Sequence, residues 1–465
     1  MGYSARLLRA TAVTALMISA LQLPALTEEA QEQRQLAPAQ TKQADEPVDV
    51  LLEVEGVLEE GDRTLEDGSL YDVYPIEGQA GQTLSIRLES SDFDTFLTLV
   101  DAQGQKTAQN DNISTINTDS RLTVTLPANG TYSTVTNAFD KTGRGRYQLT
   151  MTTATATDLR SAEADRLFQQ GLAQYQTAQF RDALHSFEQA LAIYQEIKDS
   201  AGEASTFLLI GEANRLLGNY PAALDFYQQS LDIARRLEDP RTEAQSLLGI
   251  GFVNQSLGNY PAALDFYQQS LDITRQLKDS ATEASNLGNI GNVNRLLGNY
   301  PAALDYYQQS LEIARRLEDP ATEAQNLNNI GVVNRLLGNY PAALDYFRKS
   351  LEIARRLEDP VIEALNLNNL GASYLFEHKA ALAEEVLLSA VNLLDSLRST
   401  ELSDADKVSL FETQKSTFRL LQQALVIQAK YEPALLASER GRSRAFAELY
   451  SGPQKLDRCL SSESL

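Results

Sequence analysis

Between Leu51 and Thr153 apolar residues alternate with polar ones: Leu84, Ile86 and Leu88 are interleaved with Thr83, Ser85 and Arg87, and Leu122, Val124 and Leu126 with Thr123 and Thr125. A period of two sends successive side chains to opposite faces and predicts half-buried strands. Turn signals at Glu77-Gly78, Asp101-Ala102-Gln103-Gly104, Ala128-Asn129-Gly130 and Gly143-Arg144-Gly145 separate them, so residues 51–155 are expected to form a small all-β sandwich. From about Asp158 the period becomes helical and the pattern copies itself. Gly171, Gly211, Gly251, Gly291, Gly331 and Gly371 stand 40 residues apart, and Ala183, Ala223, Ala263, Ala303, Ala343 and Ala383 keep the same register. Such self-similarity predicts an all-α solenoid whose function lies on the surface that stacking builds. Six hairpins over residues 158–398 are expected to coil as a right-handed superhelix, followed by degenerate C-terminal helices over 399–451 and a polar tail over 452–465.

Within one unit, Asp319-Pro320 opens a first helix that runs to about Leu337, Gly338-Asn339-Tyr340-Pro341 turns the chain, and a second helix runs to about Leu357. Ser280-Ala281-Thr282-Glu283 offers a capping box at the equivalent start. Arg355 and Arg356, with Arg235, Arg236, Arg315 and Arg316 before them, fall in last turns where cations complement the helix dipole, and read as a solvated face. Gly331 and Ala343 are expected to let two backbones approach closely. Asn214, Asn254, Asn294 and Asn334 point toward the hairpin core and need hydrogen-bond partners, for which the turn backbone is the nearest source.

Gly331 followed by Asn339-Tyr340, Ala343, Phe347 and Ser350-Leu351 resembles the tetratricopeptide repeat, although the unit here is 40 residues where that family commonly has about 34. The lengthened helices, with Asn-Leu-Gly-Asn-Ile-Gly-Asn-Val-Asn at 286–294, are similar to repeats of kinesin light chains and of Leu-Gly-Asn-type polarity adaptors. The N-terminal segment, through Tyr71-Asp72-Val73-Tyr74, Asp92-Phe93-Asp94-Thr95-Phe96-Leu97, Asn110-Asp111-Asn112, Gly130-Thr131-Tyr132 and Gly145-Arg146-Tyr147, resembles the bacterial pre-peptidase C-terminal domain. That resemblance implies an exported protein. Ala437-Ser438-Glu439-Arg440-Gly441-Arg442-Ser443-Arg444-Ala445-Phe446 resembles the segment that joins such repeats to a caspase-like CHAT protease domain in bacterial proteins; the family's catalytic Cys and His have nothing to map onto here.

Charge narrows the partner class. A formal net charge of −23 argues against nucleic acid, which requires basic patches. Cys459 is the single cysteine, which excludes an intramolecular disulfide and a cysteine metal cluster. His185 and His378 are far apart along the solenoid and form no catalytic pair. No phosphate-binding loop or nucleophile elbow is present, so no enzyme activity and no cofactor are expected. Asp92, Asp94, Asp111 and Asn112 are oxygen donors that suit calcium, but such residues occupy loop ends for local backbone reasons, and no metal site is assigned. Arg6 and Arg9 ahead of the apolar run Ala10 to Leu23 fit an export signal over residues 1–26, with an uncleaved anchor as the alternative, and residues 27–50 read as a linker.

The function expected is therefore that of an exported interaction scaffold whose concave groove holds an extended peptide or partner segment, with no membrane insertion of the mature chain. Two alternatives stand beside it: the regulatory arm of a truncated or split CHAT peptidase, and a ligand- or glycan-binding surface protein acting through the sandwich. With Leu327, Ile330, Gly331 and Leu337 on the buried side of a first helix, the opposite face carries Gln325, Asn328, Val332 and Arg335, with Asn329 on its edge. Neighbouring units contribute Arg215, Asn289, Asn292, Arg295, Asn368 and Asn369. Asparagine offers both donor and acceptor to a peptide backbone, and Arg215, Arg295 and Arg335 would favour acidic side chains or a carboxylate.

Overall fold

A computed structural model describes residues 49–65, 67–110, 119–139, 141–396 and 404–450; the expected export signal, most of the linker, Asp111, Asn112, Cys459 and the polar tail lie outside the described residues. The N-terminal part forms two antiparallel sheets. One has the order β1 (Val50–Leu58), β9 (Gly145–Thr153), β4 (Thr83–Glu89), β7 (Ser120–Thr125). The other has β2 (Arg63–Thr64), β3 (Leu70–Gly78), β8 (Gly130–Ala138), β5 (Thr95–Val100), β6 (Lys106–Asn110). The alternation sets which face is which: Leu84, Ile86, Leu88, Leu97, Leu99, Leu149 and Met151 close the core between the sheets, while Ser85, Arg87, Arg121 and Thr123 are left on the outer face of the first sheet.

Seven helical hairpins follow among the described residues. They pair α1 (Ala156–Gln176) with α2 (Phe180–Ile197), α3 (Ser200–Leu216) with α4 (Tyr220–Leu237), and α5 (Pro240–Ser256) with α6 (Tyr260–Leu277). Next come α7 (Ser280–Leu296) with α8 (Tyr300–Arg316), α9 (Pro320–Leu336) with α10 (Tyr340–Arg356), and α11 (Pro360–Phe376) with α12 (Ala380–Ser396). The irregular pair α13 (Asp404–Ile427) and α14 (Tyr431–Tyr450) closes the series.

Each hairpin has a local cause. Asp319 caps α9 by accepting from the backbone N–H groups of Ala321 at 3.1 Å and Thr322 at 3.2 Å. The helix stops where Gly338 takes φ +80°, a left-handed conformation that costs glycine little. The Gly338 and Asn339 N–H groups then turn back onto the carbonyls of Arg335 and Asn334, and Pro341 occupies the first turn of α10. At α7 the cap is Asp279, which accepts from Thr282 N–H at 3.1 Å, one residue earlier than the expected box at Ser280. Glu283 is instead drawn to Arg275 at 3.0 Å.

That pairing recurs. Arg235–Glu243, Arg315–Glu323 and Arg355–Glu363 each meet at 2.8 Å across the join between consecutive hairpins. These arginines are therefore the outer stitches between units as well as dipole partners; half-exposed pairs of this kind contribute about 0–1 kcal/mol each. An inner stitch is buried: Ser350 Oγ donates to the carbonyl of Ala324 at 2.7 Å, and Asn366 of the next unit donates to Ser350 Oγ at 2.9 Å. Ser310, Ala284 and Asn326 repeat the arrangement. The expected asparagine ladder also forms, with a different partner: Asn214, Asn254, Asn294 and Asn334 donate at 2.9 Å to carbonyls of their own helices at Ile210, Ile250, Ile290 and Ile330. The helical carbonyl four residues back is within reach without moving the turn.

The sandwich docks on the first hairpins through its outer face. Arg121 on β7 forks onto Asp165 of α1 at 2.7 and 2.8 Å, with Asp199 at 3.9 Å. Tyr194 donates to the same Asp165 at 2.7 Å. Asp158, capping α1 from its first turn, accepts from Ser85 at 3.0 Å and Arg87 at 3.3 Å. A cavity of about 280 Å³ lies between them, floored by Phe168, Tyr194 and Ile197.

Candidate interaction groove

The first helices of neighbouring units lie side by side, and the residues expected to line the groove divide into three groups. Leu327 and Ile330 are buried as expected, but Leu337 is 45% exposed, because α9 ends at Leu336 and Leu337 faces the turn rather than the hairpin core. On the opposite face Asn292, Asn328, Asn329, Asn368 and Asn369 are almost fully buried. Asn369 donates to Asn328 at 2.8 Å across the join between units, and Asn292 accepts from Tyr307 at 2.7 Å. Asn368 accepts from Thr417 of α13 at 3.1 Å, so the last hairpin covers this end. The partly exposed members are Asn289, Arg295, Val332 and Arg335, together with Gln325.

Arg215 is the clearest correction. It is 5% exposed and its guanidinium is taken up by Glu212 one turn earlier, Nε lying 2.8 Å from the carboxylate, while its Cζ stacks 4.2 Å from the Phe252 ring centre. Tyr227 and Tyr175 donate to Glu212 at 2.5 and 3.2 Å. Burial opposes both charges, yet each holds the other ionised: Arg215 stays above its ordinary pKa and Glu212 falls below the usual carboxylate range. Arg215 is thus committed to Glu212 of its own unit and to Phe252 of the next.

Arg295 and Arg335 stand at the equivalent places two and three units on, where the counterparts of Glu212 are Asn292 and Val332. Among the described residues neither forms an ion pair. Arg295 lies beside Tyr307, whose hydroxyl is pushed up to about 12 by burial, against the influence of that cation. Arg335 is lowered, by burial first and by the neighbouring Arg295 charge second, and its Nε is buried without a partner.

His185 is exposed and hydrogen-bonds with Gln189 at 3.2 Å, and His378 sits in a turn at φ +57°. Asp92 accepts from the Arg146 N–H at 2.8 Å, a loop-closing role. Among the described residues no group of three or more His, Cys, Asp or Glu could hold a metal ion, and no helix is long and apolar enough to cross a membrane. The residues that sequence reasoning missed are Glu212 and the junction pair Arg121 and Asp165. Glu212 carried a legible signal, a carboxylate three residues before an arginine; the junction carried none.

Family models decide the assignment. The bacterial pre-peptidase C-terminal domain matches residues 70–136, and the tetratricopeptide repeat matches residues 162–236, 242–316 and 322–396. The chain carries tetratricopeptide repeats. Tetratricopeptide repeat protein 28 of mouse and that of human are each 41% identical over 68 residues, 14% of this chain. The chain spans about 3% of the length of those curated relatives. Among solved structures, a signal-transduction ATPase with a tetratricopeptide repeat sensor from Pyrococcus horikoshii superposes with a TM-score of 0.50 at 15% identity, covering 62% of this chain and 42% of that one. This likeness is one of fold. A tetratricopeptide solenoid is a protein-interaction scaffold in general terms, and no catalytic domain is indicated.

Proposed function

We propose that the chain is an exported interaction scaffold that holds an extended peptide or partner segment along the first helices of units four and five. The observation that carries this reading is the partly exposed row Asn289, Arg295, Val332 and Arg335, which combines an amide, an apolar contact and two cations in one strip flanked by buried asparagines. Amides pair with peptide backbone, and guanidinium groups with carboxylates. The buried asparagines fix the strip, and alanine at Asn292 or Asn329 would probe stability rather than recognition.

Selection of a random peptide display library on the full chain, followed by fluorescence anisotropy with a selected peptide, tests the reading. The double change Asn289→Ala and Arg335→Ala should keep the helical circular dichroism and melting temperature while weakening capture about tenfold, roughly 1.4 kcal/mol. Unchanged capture by the folded variant would leave the strip without a role. Export rests on Arg6, Arg9 and the apolar run after them, with the pre-peptidase C-terminal match in support. N-terminal sequencing of protein from cell fractions should find a mature start near Leu21 or Leu26 outside the cytoplasm; an intact Met1 on a soluble cytoplasmic chain would contradict it.

A further inference from the structure

The equivalent positions of successive units differ in the charges they carry. In unit two the first helix places Glu212 and Arg215 one turn apart, and Tyr227 of the second helix donates to Glu212 at 2.5 Å. The cation, its carboxylate and the tyrosine form a closed set. In unit three Gln255 accepts from Tyr267 at 3.1 Å, with no charge. In unit four Tyr307 keeps its place and donates at 2.7 Å to Asn292, which stands where Glu212 stood, while Arg295 is retained. In unit five the tyrosine has become Phe347 and the acceptor Val332, again with the arginine, Arg335, retained. Two adjacent units have thus kept the guanidinium and lost its carboxylate.

The chain carries a formal charge of −23, so acidic side chains to pair with these arginines are not scarce. Their absence here is local. The charge that acts on Arg335 is that of Arg295, which is repulsive, and the Arg335 Nε is buried without a hydrogen-bond partner. A buried donor left unmade costs free energy, more when it is charged. A carboxylate placed between the two guanidinium groups would offset the repulsion.

We propose that Arg295 and Arg335 form one anion subsite, which takes a side-chain carboxylate of an acidic peptide segment, and that Glu212 closes the corresponding place in unit two. The subsite rests on the groove reading above and sharpens it: an acidic residue of the bound segment seats at units four and five, which fixes the position of the segment along the solenoid.

The probe is fluorescein-labelled hexaglutamate, with hexaglutamine as its neutral isostere, measured by anisotropy on the full chain at low salt. Hexaglutamate should bind at least about tenfold more tightly than hexaglutamine, and inorganic phosphate at millimolar concentration should compete only weakly. Asn292→Glu rebuilds in unit four the set seen in unit two and should abolish the preference for hexaglutamate while leaving both arginines in place; Asn292→Gln should retain it. Arg335→Gln should lower hexaglutamate binding about tenfold, and provides a second measure should Asn292→Glu melt early. Equal binding of the two peptides, no binding of hexaglutamate, or a preference that survives both Asn292→Glu and Arg335→Gln would overturn the subsite. Competition by phosphate as strong as that by unlabelled hexaglutamate would overturn the peptide assignment in favour of a small-anion site. Library peptides that bind the groove yet ignore both variants would sink the subsite while leaving the groove reading standing.

Discussion

Gly331 on α9 faces the ring of Phe347 on α10 so closely that a Cβ at residue 331 would lie 2.7 Å from a ring carbon. Phe347 is fully buried in a core cluster with Ala343, Leu344 and Leu351. The same relationship links Gly291 with Tyr307 and Gly251 with Tyr267, and Gly371 faces Leu387 in the same way, so each glycine of the ladder seats one large side chain of the second helix, aromatic at all of these but Leu387.

Gly331→Ala therefore destabilises the chain despite the better helix propensity of alanine, which alone would gain about 1 kcal/mol. Overpacking of this kind costs about 1–3 kcal/mol, and the companion change Phe347→Leu should recover part of the loss. Urea denaturation of the two variants measures it. A more stable Gly331→Ala would show that the ring has room to move.

Glu212 and Arg215 should behave as a buried pair. Removing one member, as in Glu212→Ala, leaves the other charge uncompensated and should cost about 3 kcal/mol, whereas the double change to Leu and Met should cost much less. A double-mutant cycle from denaturation midpoints gives the coupling. Equal and additive losses would contradict the pairing.

Acid should weaken that pair in a defined direction. The Glu212 carboxyl in the folded chain sits below its ordinary value of 4.5, so its contribution is fully present above that pH and is lost as pH falls through the lower folded value. The melting-temperature gap between the natural chain and Glu212→Gln should be constant at neutral pH and shrink below about pH 4.5. A gap that widens on acidification would reverse the sign and refute the assignment.

Arg121 should hold the sandwich against the solenoid. In Arg121→Ala the carboxylate of Asp165 loses its forked partner in a largely enclosed site, a change of about 3 kcal/mol, and the sandwich should melt as a separate, earlier transition in calorimetry. A single transition at the original temperature would show that the junction does not depend on this pair.

The fold was legible because its signals are local. The alternation at Leu84 to Leu88, the glycine at 338 and the cap at Asp319 each act within a few residues, and the period of 40 multiplies them. What could not be read was which side chains meet between units. Helical phase places Asn328 opposite Ile330, but it does not say that Asn369 of the next unit will cover it or that Thr417 will close over Asn368. The same limit explains Arg215. Helical phase could not show that its guanidinium is taken up by Glu212, one turn earlier on the same helix.

Photo-crosslinking maps the bound segment most directly. A library-selected peptide carrying a benzophenone at its centre is irradiated on the full chain, and the attached residues are identified by mass spectrometry. Crosslinks should fall on α7 and α9 around Asn289, Val332 and Arg335, and unlabelled peptide should compete them away. Crosslinks confined to residues 50–153 or to the outer helices α8 and α10 would contradict the groove as the site of recognition.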